Sequence, residues 1–301
     1  MASNSKISLV GLGNMGTALG HALLDGQKQL TIWNRTASRP SVTSLVDAGA
    51  VFEPDLSWTI SNSPVTIICV LDYPTIRQIL DPIVNSHALK SKTIINLTNG
   101  TPREAREMKE WMYAQGVTQY FDGGIMATPD MVATPASSIF ISGENEQRLS
   151  SVTNIIEIWG RAQYVGQDPG AAALNDLALL AGMYGMFAGA ITAMALLQKQ
   201  KGGSGGYSRV ESQVTGMLNP WLQALVPYHA QMAKSIDTGI FESLGNPIQM
   251  QSIGMQNILK ACDEEGVDAG SLRYFAGLME KVVAERGGDG GIAEVATLLL
   301  T

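Results

Sequence analysis

Residues 170–198, GAAALNDLALLAGMYGMFAGAITAMALLQ, carry a single charged side chain in 29 positions, Asp176. No other segment restricts the fold as much. As a helix rising 1.5 Å per residue it would run about 45 Å, longer than a small domain needs. A helix apolar on all sides has to be covered all round. The stretch from Leu177 to Gln198 has 22 residues without a charge, long enough to span a bilayer. Its Gly and Ala content, and an aspartate where a basic anchor would stand, favour a buried helix, so no membrane partner is expected. A buried helix of that length in a chain of 301 residues has room to join two bodies. The expected division is 1–166, an N-terminal domain; 167–200, an interdomain helix; and 201–301, a helical dimerisation and substrate domain.

The first part alternates β-branched runs with amphipathic stretches. Strands are expected at Ile7–Val10, Leu30–Trp33, Val65–Leu71, Thr93–Leu97, Tyr120–Phe121, Ser138–Ser142 and Gln163–Val165. Helical stretches such as Thr17–Asp25, Thr75–Ile83 and Pro102–Ala114 lie between several of them. This order predicts an α/β domain with a mainly parallel sheet covered on both faces. After "GQDPG" the pattern becomes helical throughout, with Asp168 as N-cap and Pro169 in the first turn of the long helix. "KGGSGGYS" (201–208) breaks that helix, and Val210–Lys234, Asn246–Glu265 and Ser271–Glu285 follow as helices. So small a helical remainder has little core of its own, which predicts an intertwined homodimer.

"ISLVGLGNMG" is a strand running into Gly11, Leu12, Gly13, Asn14, Met15 and Gly16, then a helix. The first glycine suits a tight turn, the second the approach of a pyrophosphate, and the third helix–strand packing. The helix N-terminus offers free N–H groups to the anion. Strand, motif, helix and second strand arrive in the order a dinucleotide-binding Rossmann unit requires. At the end of the second strand an NAD site usually carries an acid. Here "WNRTASR" puts Asn34 in that place, followed by Arg35, Thr36 and Arg39. With no carboxylate to repel a 2′-phosphate and two guanidiniums to clamp it, the expected cofactor is NADPH/NADP+. Other strand ends are expected to line the same crevice: Val70 and Leu71 after Cys69, the segment Asn96–Pro102, and Asp122–Met126. Asn99 before Gly100 reads first as a turn former.

The totals remove several classes of partner. A net charge of −7 with no run of Lys or Arg gives no footprint for nucleic acid. Two cysteines and three scattered histidines form neither a disulfide framework nor a metal-ligand pattern. No metal is expected, and a reducing, cytoplasmic setting is the default. Asp176 and Tyr184, on the long segment, are eight residues apart, about 12 Å and 80° on an ideal helix. They are too far apart to touch, but both can flank a small ligand.

"GLGNMGTAL", "WNRT", "NLTNGTP", "GGIMA", "DLALLAGMYG" and "NPWL" resemble the imine reductases, and among them the fungal reductive aminases, within the wider β-hydroxyacid-dehydrogenase-like fold. The resemblance implies a Rossmann domain, a long interdomain helix and an all-helical C-terminal domain exchanged in a homodimer. It implies a polar catalytic triad of Asn99, Asp176 and Tyr184, with Asn99 also beside the cofactor. It further implies a substrate pocket with Met126, Trp221 and the pair Met250–Gln251.

The related β-hydroxyacid-type dehydrogenases, which act on an alcohol or ketone, carry a lysine on the long helix, and this chain has none between Lys109 and Lys199. An iminium ion is itself a cation, so a carboxylate beside it attracts where an ammonium would repel. The expected reaction is NADPH-dependent reduction of imines or iminium ions to amines. The expected substrates are an imine, or a ketone or aldehyde together with a small amine. The alternatives are a β-hydroxyacid-type NADP dehydrogenase that has replaced its lysine, and an NADPH-binding sensor without turnover.

Overall fold

The computed structural model describes residues 6–199 and 209–299. The linker 201–208 lies outside the described residues. Two compact units divide inside the long helix, Met1–Ala181 and Gly182–Thr301.

The first unit is built on an eight-stranded sheet of order β3-β2-β1-β4-β5-β6-β7-β8. Its strands are β1 (Lys6–Val10), β2 (Gln29–Trp33), β3 (Val51–Phe52), β4 (Val65–Ile68), β5 (Thr93–Asn96), β6 (Gln119–Met126), β7 (Ser138–Ser142) and β8 (Arg161–Gly166). All neighbours are parallel except β6 and β7. The helices between them are α1 (Asn14–Asp25), α2 (Pro40–Asp47), α3 (Leu56–Ser61), α4 (Tyr73–Leu80) and α5 (Pro102–Ala114), with single turns α6 (Glu146–Leu149) and α7 (Thr153–Ile156).

Successive strand residues feed two cores. Ile7, Leu9, Ile67, Ile95 and Phe121 pack on one face with Leu19, Leu23 and Trp159. Val10, Ile68, Ile94 and Tyr120 pack on the other with Tyr73, Ile76 and Met108. Burial on both faces is why these strands read as nearly continuous apolar runs.

β6 runs through Gly123 and Gly124, a pair whose sequence reads as loop. Glycine is used there for close approach. A Cβ on Gly123 would lie 2.8 Å from Leu97, and one on Gly124 would lie 2.8 Å from Cβ of Asp176. β4 stops at Ile68, short of the expected Leu71.

The long helix α8 (Gly170–Gln198) begins where expected: Asp168 accepts the Gly170 N–H at 3.0 Å while held by Arg106. Among the described residues it is the helix long and apolar enough to cross a membrane, and 6% of its most apolar window is buried within the single chain.

The second unit continues α8 and adds α9 (Val210–Gln213), a π turn (Val214–Leu218), α10 (Asn219–Thr238), α11 (Ile248–Glu265) and α12 (Gly270–Arg286). The π turn interrupts the helix expected over 210–234 immediately before Asn219–Pro220, where the proline supplies no N–H. Two small cores hold this unit, one around Leu259, Cys262 and Ala276 and one around Ile248, Met279 and Val282.

Candidate active site

The turn from β1 to α1 shapes a cleft of about 390 Å³ along the carboxyl ends of β1, β2 and β4. Gly11 has φ +97°, and a Cβ there would sit 2.3 Å from the Cys69 carbonyl oxygen. A Cβ on Gly13, by contrast, would meet no protein atom within 4 Å. Gly13 is the N-cap of α1 and has no side-chain cap, so the first-turn N–H groups stay open to an anion.

Leu12, Asn14, Met15, Gly16, Asn34, Arg35, Thr36, Arg39, Val70 and Leu71 line the same cleft. Arg35, Thr36 and Arg39 are exposed. Among the described residues no carboxylate pairs with either guanidinium. Asn34 braces two loops: its Oδ1 accepts the Leu12 N–H at 3.2 Å, and its Nδ2 donates to the Thr36 carbonyl at 2.9 Å.

The cleft also includes three residues that the sequence reading did not single out, Trp33, Thr75 and Ile79. Trp33 ends β2 and donates from its indole N–H to the Pro54 carbonyl. Thr75 is fixed by Asp72, whose Oδ1 accepts its N–H at 2.8 Å and its hydroxyl at 2.5 Å. Those bonds hold the Asp72 carboxyl below the usual carboxylate range. The available signal for Trp33 was its place as the last residue of the strand, next to Asn34, with its side chain on the opposite face of the sheet from Ile32.

Asn99 is not part of that lining. It stands at the tip of the loop from β5 to α5 and donates from Nδ2 to Oδ2 of Asp176 at 2.6 Å. Asp176 is 6% exposed, seated against Gly124 of β6. Burial pushes its carboxyl above the ordinary value, and the Asn99 hydrogen bond offsets part of that rise. No ion pair reaches it among the described residues.

The loop behind Asn99 is pinned at both ends. Thr101 and Glu104 form a capping box over α5, in which Thr101 Oγ1 accepts the Glu104 N–H and Glu104 accepts the Thr101 N–H at 2.8 Å. At the other end Asn96 Oδ1 accepts the Thr98 N–H at 3.1 Å. Asn96 in turn belongs to a buried cluster with Tyr120, Tyr73 and Asp122. Burial pushes Asp122 up to about 7, against the lowering effect of hydrogen bonds from Tyr73, Tyr120 and Asn96.

Met126 closes β6, half-buried. The remaining expected residues belong to the second unit. Tyr184 is 64% exposed and meets Phe187 edge to face, ring centroids 6.3 Å apart. Trp221 stands on α10, 62% exposed, at the rim of an apolar groove lined by Leu196, Leu197, Met217 and Leu218. Met250 is exposed in the first turn of α11, and Gln251 donates to the Asn246 carbonyl at 2.7 Å. No group of three or more metal-ligating side chains occurs among the described residues.

Residues 6–166 match the NAD binding domain of 6-phosphogluconate dehydrogenase, and residues 168–301 match the C-terminal domain of NADPH-dependent reductive aminase-like proteins. The NADPH-dependent reductive aminase of Aspergillus oryzae is 35% identical over 288 residues, covering 96% of this chain and 94% of its own. The chain belongs to the reductive aminase family.

Solved relatives extend the likeness to three dimensions. The Aspergillus terreus reductive aminase in complex with NADPH4, cyclohexanone and allyl amine is 36% identical with a TM-score of 0.88, over 99% of this chain and 100% of its own. An Aspergillus terreus imine reductase in complex with NADPH4 and dibenz[c,e]azepine is 37% identical with a TM-score of 0.85, over 98% and 99%. Membership of the family gives the Asp176–Asn99 pair a chemical setting. The pair is a desolvated carboxylate in contact with one neutral donor and, among the described residues, no cation.

Proposed function

We propose that the protein reduces imines and iminium ions to amines with NADPH, and also takes a ketone or aldehyde together with a small amine. The observation that carries this reading is Asp176, a buried carboxylate held by Asn99 and, among the described residues, by no positive charge. A protonated imine supplies the missing cation. The carboxylate attracts the C=N nitrogen in a low-dielectric site, where that attraction is strong. Burial raises the pKa of this carboxyl, against the lowering effect of the Asn99 hydrogen bond, and a carboxyl so placed can share a proton with the nitrogen.

The residues of the cleft fit NADPH. The open first turn of α1 and the bare Gly13 suit the pyrophosphate, while Arg35, Thr36 and Arg39 suit the 2′-phosphate. When bound, NADPH supplies the hydride delivered to the carbon of the C=N bond. Asn99 orients Asp176 and stays within reach of substrate nitrogen or a water. Tyr184 is assigned the orienting or proton-relay role, and Met126, Trp221, Met250 and Gln251 the walls of an apolar substrate pocket.

We further infer that the enzyme works as a soluble homodimer in the cytoplasm, with helical parts exchanged between copies. The bare apolar surface of α8 in the single chain supports that assembly.

The test is a spectrophotometric screen of NADPH consumption with cyclic imines and with ketone–amine mixtures, beside NADP+-dependent oxidation of β-hydroxyacids. Turnover of imines is the expected result. Turnover of hydroxyacids alone would point to a dehydrogenase, and binding without consumption of either to a sensor.

A further inference from the structure

A buried acid that the reaction above does not use lies in the middle of β6, at the last residue that pairs with β5. Asp122 is 1% exposed and directly opposite Asn96 of β5. One of its oxygens, Oδ2, accepts from three donors: the Tyr73 hydroxyl at 2.7 Å, the Tyr120 hydroxyl at 2.7 Å and Asn96 Nδ2 at 3.0 Å. Asn96 Nδ2 also reaches the Tyr120 hydroxyl at 3.1 Å. No cation pairs with Asp122 among the described residues. A plug for the end of a sheet does not call for such a group, because apolar side chains fill buried space at lower cost than an unpaired charge.

The three donors show what the carboxylate gains in exchange. Two of them are the supports of the loop that carries Asn99. Asn96 accepts the Thr98 N–H, which fixes the residue before Asn99. The Tyr73 ring lies under the residue after it, so close that a Cβ on Gly100 would fall 2.4 Å from ring carbons. Two residues further along β6, Gly124 seats Cβ of Asp176. The same three-residue stretch of β6 therefore bears on both members of the Asn99–Asp176 pair.

We propose that Asp122 is a positioning residue for catalysis, its Oδ2 clamping Asn96 and Tyr73 so that the loop between them presents Asn99 to Asp176. The proposal deepens the imine-reductase reading and rests on it for its kinetic consequence. The geometric claim, that Asp122 fixes Asn99, stands separately. Tyr120 completes the clamp by donating to the acid while accepting from Asn96, which keeps the amide of Asn96 turned so that its oxygen meets Thr98.

The test uses the full chain with Tyr73→Phe, Asp122→Ala and Asp122→Asn, each alone and combined with Asn99→Ala. Tyr73→Phe keeps the ring beneath Gly100 and removes only the hydroxyl, so it carries the test if Asp122→Ala does not fold. The expected loss of kcat on a cyclic imine is about tenfold for Asp122→Ala and about threefold to fivefold for Tyr73→Phe, with KM for NADPH within about twofold. Asp122→Asn, whose amide oxygen still accepts, should recover most of the loss. With Asn99 already replaced, the same changes should cost under about twofold, because the side chain they position is gone. Equal proportional losses with and without Asn99, or full activity in folded Tyr73→Phe, overturn the proposal.

A second readout does not depend on turnover: the side-chain amide signal of Asn99 in two-dimensional NMR, assigned by its loss in Asn99→Ala. It should move in Tyr73→Phe and hold its place in Asp122→Asn. A signal unmoved in Tyr73→Phe refutes the clamp. A wild-type protein inactive on every imine, with the signal moving as expected, refutes the reaction assigned above and leaves the clamp standing.

Discussion

Asp176 is buried while Asn99, its partner, stands exposed at a loop tip, and the 2.6 Å bond between them ties α8 to the β5–α5 loop at the site. If Asp176 handles the proton, Asp176→Ala should lower kcat by about 10²-fold or more, with NADPH affinity preserved by fluorescence titration. Loss of cofactor binding instead would mean a structural role.

Arg35 can be tested by the cofactor alone. Arg35→Ala should raise the Kd for NADPH by at least about tenfold, one charge-assisted contact's worth, and leave NADH nearly unchanged. Equal losses would remove the 2′-phosphate assignment.

Asp122 gives a pH signature. An unfolded aspartate titrates near 4 and this one near 7, so between those values the folded chain holds the extra proton. The stability this site contributes is present at the acid end and is lost as pH rises through about 7. Melting temperatures across that window should therefore fall more in the wild type than in Asp122→Asn. Parallel curves would show that Asp122 titrates normally.

At the scale of elements, the parts that sequence made legible are those with a local cause. The strand–GLGNMG–helix order and the Asp168 start of α8 each follow from residues within a few positions of one another. The reach of β6 through Gly123 and Gly124 was not legible, because the reason is tertiary: Leu97 and Asp176 occupy the space a side chain would need. The same holds for Asn99, whose neighbour Gly100 signals a turn locally, while its bonding partner lies 77 residues away. The Asp122 clamp joins α4, β5 and β6 and has no sequence signature at all. Gly124→Ala tests the β6–α8 approach directly. The added methyl must displace Asp176 or the strand, so the change should destabilise the fold by about 1–3 kcal/mol, read by denaturant unfolding. A neutral variant would mean the two elements separate readily.

For the molecule as a whole, the decisive surface belongs to α8, whose apolar residues include Ile191 at 65% exposure. Under the proposed assembly a charge there is excluded from the joint between copies. Ile191→Glu should shift the native mass, measured by light scattering without detergent, from two chains to one, and activity should fall with it. A variant still paired and active would place the joint elsewhere. The feature has a consequence in the cell as well. If two copies pair as proposed, a newly made chain has little to shield its longest helix before it pairs, so the supply of working enzyme should rise more steeply than the number of chains translated, and scarce expression would leave a disproportionate share exposed to proteolysis and aggregation.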